Sequence, residues 1–185
     1  MFHHLLRMTP GTHLAATGAA FAGFMGAQTW LDASYEASGH PVHYAEGQLA
    51  FSAERVEYFY GVMLDAGTLD IYWRTQIIDF AFIASVMILS ALLGTLVARL
   101  GGVGSFGYRA GIAAAVLGIA GASMDVIENL ISFIMLANPQ DISQTVAVVY
   151  SSFAAAKFAL LSGAMITLKI ALLAGLFRRA RVAFA

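Results

Sequence analysis

Three blocks of this chain are long and apolar enough to cross a bilayer, and that fact restricts the fold more than any other. Residues 77–98 read IIDFAFIASVMILSALLGTLVA, with one charge. Residues 110–136 carry two charges and residues 145–177 carry two lysines. A spanning helix needs roughly 20 apolar residues, which each block supplies. Backbone in lipid must satisfy its own hydrogen bonds, so the blocks are expected to be helices. Strong period-2 alternation is absent, which argues against a β-barrel. Composition agrees: 59% of residues are hydrophobic and 11% charged, against about 25% charged in an average soluble domain.

Residues 13–31, HLAATGAAFAGFMGAQTWL, form a weaker fourth candidate. With Arg7 ahead they resemble a signal-peptide apolar region. They are read here as a spanning helix, with Thr9 as N-cap and Pro10 as the first helical residue. The stripe Ala15, Ala19, Gly23 and Gly26 suits close helix packing, against an internal helix or a foreign one.

Charge gives the orientation. Segment 32–76 holds seven acids, Asp32, Glu36, Glu46, Glu54, Glu57, Asp65 and Asp70, against Arg55 and Arg74. Arg7, Arg99, Arg109, Arg178, Arg179 and Arg181 flank the other ends of the spans. The positive-inside rule therefore puts both termini and the 99–109 link in the cytoplasm. The expected architecture is an all-α, integral membrane four-helix bundle with an extracytoplasmic amphipathic cap helix. It forms one domain over 1–185, with spans at about 12–31, 76–99, 110–136 and 145–177. The expected location is a plasma membrane, the bacterial inner membrane.

The outer loop 32–75 carries structure. After Ser52, an N-cap, Val56, Phe59, Tyr60, Met63 and Leu64 fall at helical spacing, with Glu54, Arg55, Glu57 and Asp65 on other faces. That predicts an amphipathic cap helix over about 53–65. Ala66-Gly67 ends it, Thr68 caps the next helix, and Tyr72, Trp73 and Arg74 mark the outer membrane boundary, as Trp30 does for the first span.

The candidate functional residues are the polar ones inside the spans. A charge at the bilayer centre costs about 2.5–3.5 kcal/mol on insertion scales, so such groups must pair, protonate or reach water. Gly111, Ala115, Gly118, Ala122, Asp125, Asn129 and Ser132 make one 4-3 stripe, and Glu128 stands one turn from Asp125. Lys157 lies roughly 18 Å inside the outer end of the last span, and Asp125 and Glu128 lie roughly 12–16 Å inside theirs. Lys157 can therefore pair with one of the acids. Asp79, roughly 8 Å deep, shares a face with Tyr72, Thr75 and Gln76, which suggests a polar route from outside. Lys169 is expected to snorkel to the cytoplasmic interface.

Asp125, Glu128 and Lys157 are the catalytic candidates, with Asp125 or Glu128 as general acid/base and Lys157 as electrostatic partner. Asp79, Asn129, Gln76 and Tyr72 are ligand-binding candidates. Two functions fit. One is a carrier, or an intramembrane enzyme on a lipophilic substrate, whose centre binds or transfers a small polar group or proton. The other is an accessory subunit whose buried charges fix helix register.

His40-Pro41-Val42-His43 with Glu46 is read as a solvated turn, and no metal site is expected. His3, His4 and His13 have no partners at ligand spacing. GGVGSFG at 101–107 is read as a flexible link. No cofactor motif appears and the cofactor is unknown. Expected partners are the lipid bilayer, a lipophilic small molecule, and other membrane subunits or a self-oligomer. The lack of a basic tract with interleaved aromatics argues against nucleic acid.

These residues resemble a loosely defined, uncharacterised group of small four-span microbial membrane proteins. The shared pattern is a Tyr and an Asp-Phe opening the second span, Asp-x-x-Glu-Asn in the third, and Lys in the fourth. Here these are Tyr72 with Asp79-Phe80, Asp125 to Asn129, and Lys157, and the resemblance covers roughly 50–175. It implies a bundle with a shared polar centre and brings no activity with it. The Phe-Pro and Tyr that follow the Asp-Phe in that pattern are absent here, which removes the basis for the kinked helix they would build.

Overall fold

The computed structural model describes residues 2–183, which are 86% helical and contain no strand. Seven helices follow in order: α1 His3–Arg7, α2 Pro10–Ala37, α3 Tyr44–Gln48, α4 Ala53–Asp65, α5 Leu69–Gly101, α6 Phe106–Ala137 and α7 Gln144–Ala183. Three of them, α5, α6 and α7, are long and apolar enough to cross a membrane. Local chemistry sets the boundaries. Thr9 Oγ1 accepts from Thr12 N at 3.2 Å ahead of Pro10, and Ser52 Oγ accepts from Arg55 N at 3.3 Å ahead of α4. Each satisfies a donor that the first helical turn leaves open. Gly67, at φ +70°, turns the chain out of α4.

Thr68 stands just ahead of α5, its carbonyl accepting from Tyr72 N at 3.2 Å. Its hydroxyl donates to the Ser38 carbonyl at 2.6 Å, tying the loop to the start of α5.

The chain packs as two compact units. One comprises Met25–Ile83 and Ser123–Phe158, the other the chain up to Phe24, Ala84–Ala122 and the chain from Ala159. The acids fall entirely in one of them, and seven of the ten cations in the other. The second unit holds Arg7, Arg99, Arg109, Lys169, Arg178, Arg179 and Arg181 and no acid, while the first holds every Asp and Glu.

The first unit has a core of loop, α4 and helix-end residues. Val56, Phe59, Tyr60 and Met63 of α4 are buried with Tyr72, Met135, Leu136, Ala147 and Tyr150. Fully burying a side chain such as Met63 contributes about 1.5–3 kcal/mol. Leu64, expected on the same α4 face, is exposed. The loop is tied down by polar bonds: Gln144 on α7 donates to the Phe51 carbonyl and accepts from Ala53 N, and Ser151 Oγ accepts from Phe51 N. Glu57 accepts from Ile142 N at 2.7 Å, binding α4 to the 138–143 link.

In the second unit α5 and α6 approach closely. A Cβ on Gly111 would stand 2.6 Å from Ala98 N, and one on Gly94 2.7 Å from Ala115 Cβ. Glycine is needed here for backbone approach rather than for turning. The stripe Ala15, Ala19, Gly23 and Gly26 of α2 behaves differently. All four are exposed, and a Cβ on Gly23 or Gly26 would meet nothing within 4 Å. Among the described residues, this stripe has no internal helix to pack on.

Candidate functional site

The 4-3 stripe of α6 faces inward throughout: Gly111, Ala115, Gly118, Ala122, Asp125, Asn129 and Ser132 are all buried. Its polar half meets α7 within the first unit. On α7, Ala147, Tyr150, Ser151, Ala154 and Lys157 fall on one buried face, the pattern of a helix with one inward stripe.

Lys157 Nζ stands 2.8 Å from Asp125 Oδ1 and 2.5 Å from Glu128 Oε2. It also donates to Gln48 Oε1 at 3.1 Å. An ammonium has three protons to give, and here it faces three acceptors. Sequence spacing suggested one acid partner for Lys157; the structure brings it two, and adds Gln48. That residue is half-buried, so it joins the outer loop to a lysine that is itself only 4% exposed.

Asp79 joins the centre through Asn129. Asn129 Nδ2 donates to Asp79 Oδ2 at 2.8 Å. A carboxylate accepts and cannot donate, so this bond fixes the amide orientation. Asn129 Oδ1 must point away from Asp79. Gln76, Thr75 and Tyr72 are buried on the same stretch of α5, and Thr75 shares a 2.7 Å hydroxyl contact with Ser34. Tyr72 is therefore no boundary anchor. Its ring packs on Tyr35, His40 and Tyr60. Trp73 and Trp30 do remain partly or largely exposed, and so does Lys169.

Three oxygens of the centre are left over. Among the described residues, Glu128 Oε1, Asn129 Oδ1 and Ser132 Oγ are buried without a hydrogen-bond partner. Glu128 Oε2 is taken up by Lys157 in the ion pair. The Tyr60 hydroxyl is directed towards Ser132, without a bond that satisfies Ser132 Oγ. Burial pushes the Tyr60 phenol well above its usual range, which keeps it a protonated donor. The buried charges do not balance either. Among the described residues, three buried acids, Asp79, Asp125 and Glu128, stand against one buried cation, Lys157.

The loop histidines have structural roles. His43 Nδ1 accepts from Ala45 N at the start of α3, and Glu46 pairs with Arg55 at 3.2 Å. The His40 ring packs against Tyr35, Phe59 and Tyr72 at 5.2–5.3 Å between centroids, with Nδ1 on the Val42 carbonyl. Burial pulls the imidazole below its ordinary value near 6.5, and the Val42 bond offsets only part of this. The unfolded chain therefore takes up this proton before the folded one does. Stability from the packed ring is complete above about pH 6.5 and falls as pH drops below it. Hydrogen exchange across residues 38–50 is expected to speed up between pH 7 and pH 5.5, after correction for intrinsic rates. H40F should remove that added sensitivity.

His13 has no partner at ligand spacing in the sequence, and in the fold it is held by residues distant in the chain. It is fully buried in the second unit. Arg99 Nη1, which can only donate, lies 3.2 Å from Nδ1 and also donates to the Met8 carbonyl at 2.7 Å. Nδ1 must accept, so Nε2 carries the proton and donates to the Leu92 carbonyl at 3.0 Å. Thr95 Oγ1 stands 3.2 Å from the same nitrogen. The partners are more than 75 residues away in the chain, beyond the reach of local spacing. No protein-family model matches this chain, and no curated protein or solved structure is significantly similar to it.

Proposed function

We propose that this is an integral membrane protein of four spanning helices whose polar centre takes up and releases a proton, as a carrier does. The observation that carries the reading is the imbalance at the centre: three buried carboxylates, one lysine and three unpartnered oxygens. A network that only fixed helix register would gain nothing from unpaired acceptors, because each leaves the desolvation of a polar group uncompensated. Lys157 can neutralise one carboxylate, and protons are the smallest groups that neutralise the others. In this reading Glu128 and Asp125 hold and pass the proton, Lys157 tunes them, and Asp79 with Asn129 forms the next station. Gln48 is the loop residue through which the outer side reaches Lys157.

Helix α2 is the fourth span. Its 28 residues reach about 42 Å at 1.5 Å per residue, enough for a tilted crossing. The distribution of arginines supports cytoplasmic termini and an extracytoplasmic loop, with α4 as its cap. The protein would then sit with the small four-span microbial proteins whose Asp-Phe, Asp-x-x-Glu-Asn and Lys pattern it resembles.

The test is proton flux into liposomes holding the purified protein and a trapped pH dye. E128Q keeps the shape of the side chain but cannot carry a proton on an oxygen. It should cut flux at least tenfold while thermal unfolding in detergent stays within a few degrees of wild type. Wild-type flux in E128Q, or no flux above empty liposomes in the wild type, would sink the reading.

A further inference from the structure

The three unpartnered oxygens share one face of α6. Glu128 and Ser132 are four residues apart, and Asn129 and Ser132 three apart, so they fall within about 100° of arc. Their residues are at most 1% exposed. Each atom offers a lone pair, and only the Ser132 hydroxyl can also donate. While Asp79 is ionised, Asn129 presents its oxygen, because its amide nitrogen donates to Asp79. Such a set attracts a small cation or a proton and repels an anion. Oxygen donors of this hard type suit alkali and alkaline-earth ions rather than soft metals.

Charge selects among the cations. Lys157 already satisfies Asp125 and reaches Glu128 through Oε2. One further positive charge at Glu128 Oε1 is admissible, since buried carboxylates outnumber the lysine three to one. A divalent ion would put a second positive charge beside the Lys157 ammonium, and magnesium gives up its waters reluctantly. A monovalent ion adds a single charge, which the excess of buried acids accommodates.

We propose that Glu128 Oε1, Asn129 Oδ1 and Ser132 Oγ form a binding site for a monovalent alkali cation, which exchanges with a proton on Glu128. This inference rests on the reading of the same centre as an ion carrier. The exchange conserves charge: the carboxylic acid releases its proton to water as the cation enters, and Glu128 is left as the carboxylate that holds it. The guest's positive charge is unchanged in the swap, so the buried centre never gains a net charge.

Sodium is the probe, with potassium and choline chloride at equal ionic strength as comparisons. Purified protein in detergent should gain thermal stability in proportion to the logarithm of alkali-ion concentration once the site begins to fill. Choline should give no such rise. The apparent sodium affinity should weaken as pH falls, approaching tenfold per unit. S132A removes one oxygen while keeping a small buried side chain, and should weaken apparent affinity at least tenfold. Equilibrium dialysis with radioactive sodium should find one ion per wild-type chain, which keeps the test valid if S132A does not fold.

Identical unfolding curves in sodium, potassium and choline, together with no retained sodium in dialysis, would overturn the site: the oxygens would then hold water only. A sodium response unchanged in S132A, or insensitive to pH, would overturn it too, by placing the ion elsewhere. The two readings fail separately. Proton flux that depends on Glu128 but ignores alkali ions rejects the cation site alone. Sodium bound at Ser132 in a chain without proton flux rejects the carrier.

Discussion

Replacing Lys157 by Met is expected to cost about 3–5 kcal/mol of stability, the loss typical when one partner of a buried ion pair is removed. The side chains have similar length, so little of this is lost packing. What changes is that Asp125 and Glu128, at 5% and 0% exposure, lose the ammonium 2.8 Å and 2.5 Å away. Gln48 loses the donor at its Oε1 as well. The measurement is thermal or denaturant unfolding in detergent micelles. The control is a cycle with D125N and E128Q, which remove the charges that Lys157 compensates. The triple variant should recover at least half the loss, because groups in one network are not additive. A K157M cost below about 1 kcal/mol would mean that the pair is screened as surface pairs are, and that the centre is wet.

The part of this centre that could be read from the chain is the part that breaks a rule. Asp125, Glu128 and Lys157 interrupt long apolar blocks, so each stands out without any knowledge of contacts. The 4-3 spacing of α6 then gives the inward direction, and helix rise gives matching depth. Helix starts at Pro10 and Ala53 were equally legible, since a cap is a local event between residues three apart. Gln48 broke no rule. It is a neutral residue in a five-residue helix of a polar loop, and only the folded loop carries it to Lys157. His13 and Arg99 were hidden in the same way: a histidine near one end of a span and an arginine near the end of another read as separate interfacial residues. Tyr72 misleads because a tyrosine at a span boundary looks alike in the sequence whether its ring meets headgroups or packs under a loop. The stripe on α2 shows the converse. Small residues at regular spacing permit close approach, but nothing in the spacing states that a helix is there to approach.

Opposite effects are expected from the same substitution at two glycines. Gly111 to Ala on α6 should destabilise the protein by about 1–3 kcal/mol, the usual range for overpacking. The new Cβ would lie 2.6 Å from Ala98 N and 2.7 Å from Ala98 Cα. These are backbone atoms of a spanning helix, so no side-chain rotation relieves the clash and α5 must shift away. Gly94 is caught in the same contact, since its own Cβ would meet Ala115 N at 2.8 Å and the Gly111 carbonyl at 2.9 Å. Displacing α5 therefore breaks the seam over more than one turn. Helix propensity acts the other way, favouring Ala over Gly by about 0.8–1.0 kcal/mol in water-soluble hosts, and should be outweighed. Gly18 to Ala on α2 isolates that propensity term, because a Cβ there meets nothing within 4 Å. It should be neutral or stabilising by up to about 1 kcal/mol. Unfolding of G111A and G18A in the same detergent measures the difference directly. If both shift alike, α5 and α6 do not make the close backbone contact that brings Gly94 and Gly111 together, and their small residues answer only to helix propensity.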